Sequence, residues 1–240
     1  MKVITNEERI AKKKKQASII TPFAMIFLVG GLITNFLSVR GDQANPLYIT
    51  ATVALLGLGF VAATISSHLV NHWVKEPRSD QVLAKVLKGF DNRHYLFNYT
   101  SIVPHVLLTR NKVYTITPKL ANGEISVADR KWKRKFKFSR IFRIFAEEGL
   151  GNPTVEAEHD RNKLVKLIQN QIPDSETIPV EPVIIFTDPN TELIVENPAV
   201  PAMTGNRLKK FIQQSAKGST IDHELRQQLI KIFDNQTDNQ

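Results

Sequence analysis

The sequence predicts an α/β protein carried behind two N-terminal transmembrane helices, and three observations predict it. Two uncharged apolar runs, residues 17–39 and 47–70, lie near the N-terminus with a short loop between them. Residues 105–119, HVLLTRNKVYTITPK, read as two β-strands joined by a polar turn, the second rich in β-branched and aromatic residues. Through residues 75–233, segments with apolar residues at helical spacing alternate with further β-rich runs, the pattern of a mixed central sheet covered by helices.

Each apolar run meets the roughly 20 residues a helix needs to cross a bilayer. The first is too long for a cleaved leader and a second follows at once, so both read as anchor. Arg9 and Lys12, Lys13, Lys14 and Lys15 precede the pair, Lys75 and Arg78 follow it, and Arg40 alone sits in the loop. That bias predicts an inner (plasma) membrane protein of two spans with both termini cytoplasmic. Gly30, Gly31, Gly57 and Gly59 let the helices approach closely. Neither run holds an acid or an arginine, so no ion path is indicated. Residues 1–16 read as a basic cytoplasmic N-terminus and 234–240 as a flexible polar tail. The absence of cysteine excludes disulfides, thiolate metal sites and cysteine nucleophiles.

In the domain at 75–233, Ser79 is placed to cap a helix over 80–90 whose apolar face is Val82, Leu83, Val86, Leu87 and Phe90. Strands are expected at 94–99, over both arms of the 105–119 hairpin, and at 124–131 after the turn signal Ala121-Asn122-Gly123. Asn152 before Pro153 marks the start of a helix to about residue 170. The continuous apolar run Val183-Ile184-Ile185-Phe186 reads as a central strand covered on both faces. A short edge strand at 192–196, an extended piece at 200–204 and helices at 205–216 and 221–233 complete the chain.

Four of these features carry a family resemblance over about residues 78–213. The helix opens Ser79-Asp80-Gln81-Val82-Leu83, the hairpin ends Thr117-Pro118-Lys119, a strand and turn run Val183 to Pro189, and Val200-Pro201 is followed by Leu208 and Phe211. In that order they resemble the restriction-endonuclease-like fold, and within it the nuclease-related domain, NERD. The resemblance implies metal-assisted phosphodiester hydrolysis, in which carboxylates hold Mg or Mn and a lysine steadies the attacking water or the developing charge. Asp80 matches the family's helix acid and is the one metal candidate, and Lys119 matches the lysine of its acid-x-lysine pair. Pro104, or His105 in a slipped register, stands where an aspartate belongs, and Thr117 replaces the paired acid. With that motif degenerate, the expectation is a protein without a metal cofactor that binds nucleic acid or a protein partner. Glu124 and Asp129 are the nearby acids that would restore a site, and Glu156 and Glu158 read as surface residues.

A second candidate is the run from Arg130 to Arg143. Arg130, Lys131, Lys133, Arg134, Lys135, Lys137, Arg140 and Arg143 are uninterrupted by any acid, and aromatic residues lie among them. Its second half has the spacing of a short amphipathic helix. Three readings stay open: bases on nucleic-acid phosphates with rings for stacking, a surface for anionic lipid head groups of the bilayer, or a solvated strand and helix whose aromatics are core. The six histidines show no ligand spacing, and no glycine-rich phosphate loop or nucleophile elbow occurs.

Overall fold

A computed structural model describes residues 1–40, 45–135, 149–173, 178–216 and 220–234. The chain divides into two compact units, a helical one over Glu8–Arg78 and an α/β one that joins Met1–Glu7 to the described residues from Ser79 onward.

In chain order, β1 (Lys2–Thr5) leads into α1 (Glu7–Val39), and α2 (Pro46–Leu69) continues into a π-helical turn at Val70–Val74. Both helices are long and apolar enough to cross a membrane. The Asn45 side chain accepts a hydrogen bond from the Leu47 amide and Pro46 occupies the first turn, so α2 starts where the sequence marks it. The helices pack antiparallel. Thr21 shares a 2.6 Å hydrogen bond with Ser66, and Thr52 donates to Thr34 at 2.9 Å. Between those polar pairs the contact is close. A Cβ at Gly31 would stand 2.6 Å from a Leu56 methyl, and one at Gly59 would stand 2.9 Å from Leu28. Gly31→Val is therefore expected to separate the hairpin, read as lost crosslinking between cysteines placed at positions 28 and 59, while Gly57→Val, with nothing within 4 Å, leaves it intact. Outward, α1 and α2 expose Met25, Ile26, Leu32, Leu47 and Val53, each more than 60% accessible.

The α/β unit follows with α3 (Ser79–Val86), β2 (Tyr95–Asn98), β3 (His105–Leu108), β4 (Val113–Lys119), β5 (Gly123–Asp129), β6 (Lys131–Arg134), α4 (Pro153–Gln171), β7 (Val180–Phe186), β8 (Thr191–Pro198), β9 (Ala202–Thr204), α5 (Gly205–Gln214) and α6 (His223–Asp234). Six strands form one sheet in the order β1-β2-β3-β4-β7-β9, and β6-β5-β8 form a second. The stretch β2-β3-β4 is an antiparallel meander, after which α4 carries the chain across to β7, parallel to β4. Alternation along the strands separates two layers. Leu96, Leu107, Tyr114, Ile116, Val183 and Ile185 pack with Leu83 of α3, with Leu87 just after it, and with Leu208 and Ile212 of α5. Phe97, Val106, Leu108 and Val113 pack with Leu164 and Ile168 of α4 and with Leu229 and Phe233 of α6. Ile184 and Phe186 are buried on the face opposite Val183 and Ile185, so β7 is covered on both sides, as its unbroken apolar run requires.

Three differences from the sequence reading have local causes. Helix α3 ends at Val86 rather than near Phe90, because the chain turns through Gly89 at a φ of 90° that favours glycine. The strand expected over 124–131 is two strands: Asp129 takes a φ of 52° and the chain folds back as the β5-β6 hairpin. Residues 1–16 hold a strand, β1, which pairs in parallel with β2 from Lys2↔Tyr95 to Thr5↔Asn98. The Met1 ammonium also donates to the Phe90 carbonyl at 2.7 Å. The amphipathic helix expected after Lys137 and the tail after Asp234 lie outside the described residues.

Candidate functional site

Lys119 closes β4 with its backbone carbonyl bound by the Thr187 amide at 3.0 Å. Its residue is 4% exposed, so its ammonium needs a partner. That partner is Glu156, whose Oε2 lies 2.6 Å from Nζ. Glu156 stands in the first turn of α4, which the Asn152 side chain caps on the Val155 amide, and a carboxylate is favourable at that helix end. One turn further, Asp160 approaches the same charges. Burial raises its carboxyl above the usual range; Lys163 and His159 pull it down, Glu156 pushes it up, and Lys119 pulls it down. An acid whose native pKa is raised carries a cost at neutral pH that disappears as pH falls through that value toward the unfolded one. Asp160→Asn is therefore expected to stabilise the protein at pH 7 and to lose that advantage in acid, as chemical denaturation at both pH values would record.

On the Lys119 face of β4, Thr115 and Thr117 are buried, and among the described residues neither hydroxyl finds a hydrogen-bond partner. Asp80 is buried in the first turn of α3, and α3 covers the other face of the sheet. The two residues matched to the family motif thus belong to different layers. Of the two nearby acids, Glu124 pairs with Lys135 at 2.8 Å, and Asp129 shapes the β5-β6 turn. Glu156 is exposed, as the sequence reading has it, and is also the partner of Lys119, while Glu158, two residues on, reaches Arg130. Among the described residues, no group of three or more His, Asp or Glu could hold a metal ion. A hard divalent cation needs several convergent oxygen ligands. Asp80 in one layer and a lysine-neutralised Glu156 in the other do not fit that requirement.

The sequence reading missed a buried polar chain at the start of the same hairpin. His105, 1% exposed, meets Ser79 Oγ through Nε2 at 3.0 Å and Asn98 Oδ1 through Nδ1 at 2.9 Å. Asn98 in turn donates to Thr5 at 3.2 Å, and Ser79 shares a 3.0 Å hydrogen bond with the Tyr99 hydroxyl. The Ser79 hydroxyl, expected to cap α3, takes part in this chain. The only hint in the sequence is that His105 and Asn98 interrupt apolar strand faces; that they oppose one another follows from the β2-β3 register.

In the basic run, Arg130 grips both oxygens of Glu158, and Arg134 donates to the carbonyl and side chain of Asn122 at 3.0 and 2.8 Å. Trp132 points inward, bonding Thr154 at 2.8 Å with its ring 5.7 Å from Phe186. Lys131 and Lys133 alternate with it on the exposed face of β6. Five of the eight predicted bases are thus placed, three of them in local pairs; Lys137, Arg140 and Arg143 lie outside the described residues. No family model, no curated protein and no solved structure matches this chain.

Proposed function

We propose that this chain is a membrane protein of two spans whose α/β unit is a nuclease-related domain that has exchanged metal-dependent hydrolysis for binding, presenting a cationic strand to nucleic acid at the cytoplasmic membrane face. The observation that carries this reading is the Lys119–Glu156 pair, in which the one retained motif lysine is neutralised by a helix carboxylate. The restriction-endonuclease-like assignment is supported by the order of elements: α3, an antiparallel three-strand meander, the crossover helix α4 and a strand parallel to β4.

Support for the topology comes from β1. A strand before α1 that pairs with a strand after α2 supports a hairpin with both ends on one side of a bilayer. Lys14 and Glu76, 3.9 Å apart, bring the same two ends together, and the flanking bases favour the cytoplasm. Helix α1 is about 50 Å long at 1.5 Å per residue, against about 30 Å of hydrocarbon, so its basic first turns project beyond the bilayer.

Support for nucleic acid is the exposed pair Lys131 and Lys133 on the edge strand β6. The full chain in neutral-lipid nanodiscs is expected to bind single-stranded RNA or DNA in a salt-dependent way, each phosphate contact contributing about −0.7 to the log–log slope. The double variant Lys131→Glu/Lys133→Glu is expected to lose that binding. Salt-independent binding, or none, would refute the nucleic-acid assignment, and binding to anionic but not neutral nanodiscs would replace it with a lipid surface. A second reading, a rearranged hydrolytic site, is favoured by the approach of both Glu156 and Asp160 to Lys119.

A further inference from the structure

Opposite the Lys119 end of β4, the loop before β2, the β3-β4 turn and the C-terminal end of α5 enclose a cleft of about 670 Å³. Its walls include Phe90, Arg93, Thr109, Arg110, Asn111 and Ile212. That volume falls in the range of about 300–1,000 Å³ usual for small-molecule sites. The charge around it is unbalanced. Asp91 is the carboxylate on its wall, and it is engaged by Arg93 at 2.8 Å and by His94 at 2.7 Å. Burial alone would raise the Asp91 carboxyl, but those two partners hold it down at about 2, so it stays ionised and committed to them.

Arg110 and Arg226 have no carboxylate partner among the described residues. Arg226 does not line the cleft; it lies behind the wall, donating Nη1 to the Thr109 carbonyl at 3.3 Å with its guanidinium over the Tyr95 ring. It is 8% exposed, and its Nη2 has no hydrogen-bond partner among the described residues. Burial lowers the Arg226 guanidinium from its ordinary range; Tyr95 and Asp91 oppose that shift, and the charges of Arg93 and Arg110 add to it. Lys209 adds a fourth cation, its ammonium bonded to the Lys88 carbonyl at 2.7 Å and 5.8 Å from the centre of the Phe90 ring. Cations gathered against one committed carboxylate repel one another and focus a positive potential into the cleft. Guanidinium groups match the oxygens of phosphate in a planar, paired geometry. The Phe90 and His94 rings, stacked with centroids 4.5 Å apart, line the same cleft, and the largely buried Ile212 contributes to its wall.

We propose that this cleft binds a small organic phosphate of about mononucleotide size, with the phosphate toward Arg110 and a planar apolar body against Phe90 and Ile212. The assignment is independent of the function proposed for β6. Isothermal titration of the full chain in neutral-lipid nanodiscs, with AMP and with inorganic phosphate as probes, tests it. AMP is expected to saturate a single site and to bind more tightly than inorganic phosphate. Arg110→Glu, at an exposed position, is expected to weaken AMP at least about tenfold, the loss of one charged hydrogen bond. Ala216→Trp, which fills the cleft from its wall, is expected to do the same, while Lys166→Ala on the exposed face of α4 changes nothing. The proposal is overturned if AMP shows no saturable binding up to about 1 mM, or if both cleft variants bind it as the parent does. Equal affinity for inorganic phosphate would overturn the stacking half of the assignment.

Discussion

Glu156→Ala is expected to destabilise the α/β unit by about 1–2 kcal/mol, and Lys119→Met by less than half of that. The asymmetry follows from where the two ends of the pair sit. The Lys119 side chain is 5% exposed, whereas Glu156 is 46% exposed. Removing the glutamate leaves an ammonium buried without its counter-charge, the costly way to break such a pair. Water reaching Glu156 screens the interaction and keeps the loss below the 3–5 kcal/mol typical of fully buried pairs. Removing the lysine releases a half-exposed carboxylate to solvent and puts a thioether beside Thr117, which costs little. Combining Lys119→Met with Glu156→Ala should recover most of what Glu156→Ala alone loses. Urea denaturation followed by the fluorescence of Trp132, which packs near α4 through Thr154, would measure all three. A Lys119→Met penalty larger than that of Glu156→Ala would mean the lysine is held by something other than this carboxylate.

His105→Leu is expected to cost about 1–3 kcal/mol. Leucine fills similar space but leaves the buried Asn98 Oδ1 without its His105 partner, worth about 1–3 kcal/mol when unsatisfied, while Ser79 Oγ loses one of its two partners and keeps the Tyr99 hydroxyl. The loss should concentrate where β2, β3 and the start of α3 meet, and Asn98 should also loosen its hold on Thr5 of β1. Amide exchange would then accelerate across β1 and β2 more than across β7. Exchange that rises uniformly, or a stability loss below about 0.5 kcal/mol, would show that the polar chain is incidental to the packing.

These two sites also show what a sequence reveals and what it hides. The β3-β4 hairpin was legible because a β-rich period brackets a polar turn, and α4 because Asn152 and Pro153 mark its start in adjacent residues. Helix pairing in the hairpin follows from apolar runs of spanning length separated by a short loop. What stayed hidden depends on contacts between distant residues. Strand β1 is four residues long and finds its partner across both apolar helices. The Asp129 turn is invisible because only its positive φ divides β5 from β6. Lys119 stood out as a motif residue, but its partner lies 37 positions away on α4 and meets it only once that helix docks on the sheet. Of the basic run, alternation alone separates Trp132, turned inward, from the exposed Lys131 and Lys133.

Under the proposed assignment, Lys119 serves a structural ion pair at the position where the restriction-endonuclease-like fold places a catalytic lysine. The most direct test is to incubate the full chain with labelled single- and double-stranded DNA and RNA in magnesium or manganese, beside Lys119→Met, Glu156→Gln and Asp160→Asn. No metal-dependent cleavage that Lys119→Met removes is expected. Cleavage that needs the metal and is abolished by Lys119→Met in a protein that remains folded would contradict that assignment and establish the rearranged hydrolytic site instead.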